Sequence, residues 1–303
     1  MPRRFMTMLK NQWSRGNFVC VGLDSDFGKI PEAAHRSSGG RLPSIPHTIV
    51  AFNRAIVEAT KDIVCAYKPN IAFYEAYGAE GITALQLTIC DIHQIAPDVP
   101  VILDAKRADI GNTNKGYLRA VFNWLGADAI TVHPYLGAEA LRPFLDLKDK
   151  GIFVLCRTSN PGAGEFQDQT IVPSRENEKR WELPSGPGGE EESTHMPLYE
   201  YVAHAVKYDW NTDSNCALVV GATYPDELCR IRQIVGDMPI LIPGIGAQGG
   251  DLEATVKAGK DSNGEGMIIN SSRGIIFASI SSSFAQVARQ ETEKLRDQIN
   301  LFR

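Results

Sequence analysis

The chain has 303 residues, 43% of them apolar and 22% charged, with a formal net charge of −5. This balance suits a globular protein with a sizeable core, and the length allows one large domain or two ordinary ones. The acidic balance argues against nucleic acid as the main partner, no apolar run approaches the roughly 18 residues of a membrane helix, and the basic start Met1-Pro2-Arg3-Arg4 has no apolar signal-peptide stretch behind it.

Along the chain, short apolar runs alternate with helical periodicity. Strands are predicted at 18–23, 66–68, 101–106, 129–132, 152–157, 217–221, 240–243 and 266–270. Helices are predicted at 48–60, 82–95, 117–125, 139–147, 225–235 and 252–258, with a last long one at 283–299. Strands that alternate with helices imply parallel crossover units, and eight such units suit a closed (β/α)8 barrel better than an open sheet. The expected architecture is therefore one α/β domain over 1–303, a single (β/α)8 TIM barrel. Two connections are long. One covers 28–45. The other, after the fifth strand, holds an inserted loop at about 165–195. That loop is rich in Pro and Gly with an acidic run at 190–192, which favours irregular structure.

Six cysteines (Cys20, Cys65, Cys90, Cys156, Cys216 and Cys229) show no C-x-x-C pairing. They read as free thiols in a reducing cytoplasm, not as disulfides or a zinc site.

The most informative stretch is Val101-Ile-Leu-Asp-Ala-Lys-Arg-Ala-Asp-Ile-Gly-Asn-Thr113. With a side-chain period of two, Ile102, Asp104 and Lys106 share one face of a strand, so a carboxylate and an ammonium stand together at its C-terminal end. Burying such charges is costly unless they pair or do chemistry. Asp109, just past the strand, can close the cluster. Taken alone, Asp-x-Lys-x-x-Asp is also explained by a surface ion pair on a loop.

The neighbours strengthen the functional reading. Asp24 follows the first strand, Lys68 ends the second, and His133 follows the fourth. Ser159 and Asn160 follow the fifth, Gly244-Ile-Gly-Ala-Gln-Gly-Gly250 the seventh, and Asn270-Ser-Ser-Arg273 the eighth. Barrel enzymes build their sites on this C-terminal face, and phosphate commonly binds in the loops after strands seven and eight. Glycines let backbone N–H groups approach an anion, and an arginine offers a planar fork of donors. Together these loops point to a phosphorylated substrate.

Taken together, the chain resembles the orotidine 5′-phosphate decarboxylase family, in its longer bacterial-type branch, over nearly its whole length. The carrying segments are Val21-Gly-Leu-Asp-Ser-Asp26, Tyr67-Lys-Pro-Asn70, Asp104-Ala-Lys-Arg-Ala-Asp-Ile-Gly-Asn-Thr113, Thr158-Ser-Asn-Pro-Gly-Ala163, Pro243-Gly-Ile-Gly-Ala-Gln-Gly-Gly-Asp251 and Ser271-Ser-Arg273. The resemblance implies decarboxylation of orotidine 5′-monophosphate (OMP) to uridine 5′-monophosphate (UMP), the last step of de novo UMP synthesis. It implies Lys106 as proton donor to C6, Asp104 against the departing carboxylate, and Lys68 and Asp109 completing a Lys-Asp-Lys-Asp array. Asp24 and Lys68 would hold ribose hydroxyls, and Ser159 would read the pyrimidine edge. Gln248, on a closing loop, and Arg273 would grip the phosphate. Ser272 stands where many members have glycine. The resemblance also implies a homodimer in which Asp109 and Thr113 reach into the partner's site.

The implied chemistry uses no cofactor and no metal. Loss of CO2 leaves an sp2 carbanion that the ring delocalises poorly, so preorganised charge must stabilise it. A magnesium-dependent sugar-phosphate enzyme of the same barrel group, such as hexulose-phosphate synthase, shares Asp-x-Lys-x-x-Asp. It is expected to carry a metal-binding glutamate at strand two, where Lys68 stands. A non-catalytic phosphate-binding barrel is the other alternative, and it has no need of the charged array.

Overall fold

The computed structural model describes residues 3–36, 43–184, 194–245 and 250–303. Eight parallel strands form one sheet: β1 (Val19–Gly22), β2 (Ala66–Lys68), β3 (Ile102–Arg107), β4 (Ala129–Val132), β5 (Gly151–Arg157), β6 (Cys216–Val220), β7 (Ile240–Ile242) and β8 (Met267–Ser271). Their spatial order is β2-β1-β8-β7-β6-β5-β4-β3. Parallel bridges Tyr67–Val101 and Asn70–Asp104 bring β2 back to β3 and close the barrel. The strands are buried on both faces, as their unbroken Val, Ile and Leu runs require once helices cover the outside. Among the described residues no helix is long and apolar enough to cross a membrane.

The predicted helices are present, most of them longer than their patterns implied. Residues 48–60 fall within Ile45–Thr60 and 82–95 within Gly78–Ile95. The helix expected at 117–125 starts earlier, as Gly111–Leu118, and runs on as a π-helical segment over Arg119–Trp124. An unpredicted helix, Phe5–Trp13, closes the N-terminal end of the barrel. Phe5, Leu9 and Trp13 are buried, and the Phe5 ring packs on Phe153 at 5.4 Å. Arg3 clamps this end with two hydrogen bonds to the buried Asp128 carboxylate, at 2.8 and 2.7 Å.

The segment after β5 is only partly irregular. Thr170–Ile171 pairs antiparallel with Met196–Pro197, and the helix Arg175–Arg180 is capped by Ser174. Trp181, buried to 1% exposure, anchors it on Tyr201 and His204 and donates to Asp209 at 3.2 Å. The Pro- and Gly-rich composition that suggested a loop throughout is concentrated beyond Leu183, and 185–193 lie outside the described residues. The buried tryptophan accounts for the order of the rest. A helix at Leu198–Ala205, also unpredicted, completes the β5-to-β6 crossover.

Candidate active site

Strand order decides which residues meet. Because β2 and β3 are neighbours, Lys68 at the end of β2 reaches the carboxylate of Asp104 on β3, with Nζ 3.4 Å from Oδ2. Lys106 reaches the same carboxylate from the other side, with Nζ 2.6 Å from Oδ1. Lys68 is buried, whereas half of the Lys106 side chain is open to solvent. Burial pushes the Asp104 carboxyl up, but Lys68, Lys106 and a hydrogen bond from Thr131 outweigh it and bring it down to about 2. Burial also disfavours the Lys68 ammonium, yet Asp104 and Asp24 more than compensate and hold its pKa above the ordinary lysine value. Both groups are therefore ionised at neutral pH.

The regular alternation expected of β3 stops at Lys106. Its φ is +47°, in the left-handed region, and the register against β4 jumps between Leu103 and Arg107. A side chain there costs about 1–2 kcal/mol relative to extended backbone. The turn is held by Thr131 of β4, whose hydroxyl oxygen accepts N–H bonds from Ala105 at 3.0 Å and Lys106 at 2.9 Å. Thr131 also donates to Asp104 Oδ1 at 2.8 Å.

Two cavities meet at the charged pair. One, of about 390 Å³, is lined by Asp24, Lys68, Asp104, Asn270, Ser272 and Arg273, among others. The other, of about 260 Å³, has Lys106, Thr131 and Ser159 on its polar side and Leu155, Val219 and Leu241 as apolar walls. Lys68, Asp104 and Pro243 line both. Among the described residues Asp24 Oδ1 and Asn270 Oδ1 are buried without a hydrogen-bond partner, and both residues line the first cavity, so it offers unused acceptors. Among the described residues the Arg273 guanidinium makes no hydrogen bond or ion pair. Gly22 leaves room for the Ser272 side chain just past β8, because a Cβ there would lie 1.8 Å from the Ser272 hydroxyl oxygen and 2.9 Å from its Cβ. Gly244 opens the loop after β7 with φ +103°. Gln248 lies outside the described residues.

The predicted cluster is thus assembled in part. Lys68, Asp104 and Lys106 come together, with Asp24, Ser159 and Arg273 around them. Asp109 and Thr113 do not join them within this chain. The Asp109 carboxylate accepts the amide of Ile110 at 2.7 Å, and Thr113 is exposed on the helix that follows. Asn114, fully buried, fixes this loop by binding both backbone groups of Asp109 and the Ala140 carbonyl. His133 lines neither cavity. Asn270, expected after the eighth strand, lines the first cavity, whereas sequence reasoning missed Thr131 and Asn114. The only local sign of Thr131 is one hydroxyl in an apolar strand, and threonine is an ordinary strand residue.

Comparison with known proteins matches residues 19–285 to the family model described as "Orotidine 5'-phosphate decarboxylase / HUMPS family". Orotidine 5′-phosphate decarboxylase of Cellvibrio japonicus is 45% identical over 300 residues, covering 99% of each chain. A solved structure of Leishmania donovani OMP decarboxylase superposes with a TM-score of 0.74 at 34% identity, covering 97% of this chain and 99% of that one. Leishmania donovani UMP synthase gives a TM-score of 0.79 at 35% identity, and this chain spans 57% of its length.

Proposed function

Because the chain belongs to the orotidine 5′-phosphate decarboxylase / HUMPS family, we infer that it decarboxylates orotidine 5′-monophosphate to uridine 5′-monophosphate in pyrimidine biosynthesis. The observation that carries this reading to the site is the pair of cavities joined at Lys68 and Asp104. One offers Arg273 to a phosphate and Asp24 and Lys68 to a ribose. The other offers a space walled by Leu155, Val219 and Leu241, with Ser159 and Lys106 in its lining. A nucleotide spanning both sets its reacting carbon beside the charged pair.

In this arrangement the C6–carboxylate bond breaks and CO2 leaves. The electron pair stays on C6, and Lys106 Nζ gives it a proton. Lys68, held on Asp104, contributes fixed positive charge that needs no reorganisation as the carbanion forms. Asp104, kept ionised, lies against the substrate carboxylate and disfavours the ground state.

The test is to follow OMP by ultraviolet absorbance with and without excess chelator. Equal rates are expected, because Lys68 and Lys106 both pair with Asp104 and their positive charge repels a divalent cation. Full inhibition by chelator, reversed by magnesium, overturns the reading in favour of a metal-dependent sugar-phosphate reaction.

Arg273 is assigned to the phosphate. Arg273→Ala removes charge-assisted, two-pronged hydrogen bonding and should raise KM by roughly a hundredfold while lowering kcat less. Unchanged kinetics would move the anion site elsewhere.

The site is inferred to be shared across a homodimer. Among the described residues Asp109 and Thr113 neither line the two cavities nor pair with Lys68 or Lys106, and Ile110, Tyr135 and Leu136 expose apolar surface at 62%, 87% and 42%. An interface covering these loops would bring Asp109 and Thr113 to the neighbouring Lys106. The six cysteines, none of them paired, fit a cytoplasmic enzyme.

A further inference from the structure

Thr131 lies inside β4, buried to 1% exposure, on the wall of the cavity that holds Lys106 and Ser159. A threonine hydroxyl offers one donor and two acceptor positions. All three are used here. The amides of Ala105 and Lys106 can only donate, at 3.0 and 2.9 Å, so the oxygen accepts both. The ionised Asp104 carboxylate can only accept, so the hydroxyl hydrogen points to its Oδ1 at 2.8 Å. That same Oδ1 receives the Lys106 ammonium at 2.6 Å. One side-chain oxygen thereby ties together the left-handed backbone of Lys106, the carboxylate of Asp104 and, through it, the Lys106 head group.

We propose that Thr131 is a positioning residue for decarboxylation, holding Asp104 and the turned backbone of Lys106 in one fixed relation so that the Lys106 ammonium meets C6 where charge develops. The proposal rests on the decarboxylase reading above. It goes beyond that reading in assigning part of turnover to a residue that need not touch the nucleotide's ribose or phosphate. Without the hydroxyl, one buried and one part-buried N–H group lose their acceptor, and Lys106 loses what holds its backbone away from the extended form that a lysine favours. The ammonium then shifts relative to C6, and misplacement of about 1 Å costs roughly a hundredfold in rate. Arg273, Asp24 and the rest of the phosphate-side cavity are untouched, so affinity is preserved.

The experiment compares kcat and KM for wild type, Thr131→Val, Thr131→Ser and Thr131→Cys. Valine keeps the shape without the hydroxyl and should lower kcat by roughly a hundredfold with KM within about threefold. Serine keeps the hydroxyl and loses one methyl, so kcat should return to within about fivefold of wild type. Cysteine, a weak hydrogen-bonding group, should fall between the two. A wild-type kcat in the valine protein, a raised KM with unchanged kcat, or a serine protein as impaired as valine would each overturn the proposal. If valine does not fold, equal kcat for serine and cysteine overturns it.

A second measurement needs no turnover. Nuclear magnetic resonance of the Asp104 carboxyl in the substrate-free protein should show a higher titration midpoint in Thr131→Val than in wild type. The titratable groups around that carboxyl are Lys68 from the neighbouring β2, Cys20 from β1 one strand further on, Asp24 beyond β1, and Lys106 on its own strand. None of them is removed by the substitution, so the shift reports the Thr131 bond. An unchanged midpoint overturns the positioning role. If wild type fails to convert OMP, the decarboxylase reading falls by itself, and the Asp104 midpoint still decides whether Thr131 holds the carboxylate.

Discussion

Lys106→Ala should lose activity by roughly 10⁵-fold or more while remaining folded. Two separable effects combine to that figure. A positioned general acid is typically worth about 10²–10⁴-fold, and fixed charge at a developing anion about 10²–10³-fold. Alanine removes both, since Nζ is the proton source and the cation nearest the reacting carbon in the inferred complex. The fold should tolerate the change. Half of the Lys106 side chain is exposed, and Asp104 keeps Lys68 and Thr131 as partners. Circular dichroism and a melting temperature within a few degrees of wild type would verify folding. A folded variant with activity within roughly tenfold of the parent would remove Lys106 from the mechanism.

Mixing two dead variants should restore activity. Lys106→Ala and Asp109→Ala are each expected to be severely impaired as homodimers. When both are unfolded together in equal amounts and refolded, about half of the dimers contain one subunit of each kind. If Asp109 serves the neighbour's site, every mixed dimer has one site bearing both lesions and one bearing none. Activity should then recover to roughly a quarter of wild type, given random association and independent sites. If Asp109 acts within its own subunit, each site keeps one lesion and mixing restores nothing. The geometry motivates the expectation. Among the described residues the Asp109 carboxylate binds the Ile110 amide and not Lys68 or Lys106, and Asn114 holds its backbone in that arrangement. Asn114→Ala should therefore weaken the same shared site without touching substrate.

Much of this was readable before any fold was known. All eight strands were located to within a residue or two, because a barrel strand is a short apolar run bounded by turn residues and that signal is local. Lys68, Asp104 and Lys106 were recognisable as a set, since charge at the end of an apolar strand is conspicuous wherever the strand goes. The Phe5–Trp13 helix was missed although its apolar spacing of four is plain, and Arg175–Arg180 was hidden by the Pro- and Gly-rich residues that follow it.

By itself the sequence determined the βα alternation, the barrel it implies and the identity of the ionisable groups at one end of it. These follow from periodicity, and periodicity needs no partner segment. Only the tertiary structure decided how those groups are held. The Thr131 hydroxyl reaches Asp104 because β4 runs beside β3 in a register that slips between Leu103 and Arg107, and the slip turns Lys106 to φ +47°. Register between strands depends on barrel closure and side-chain packing across the whole sheet, not on either strand's own pattern. The same holds for Asp109: the sequence places it three residues beyond Lys106, but only the bonds from Asn114 to its backbone set the direction in which it faces.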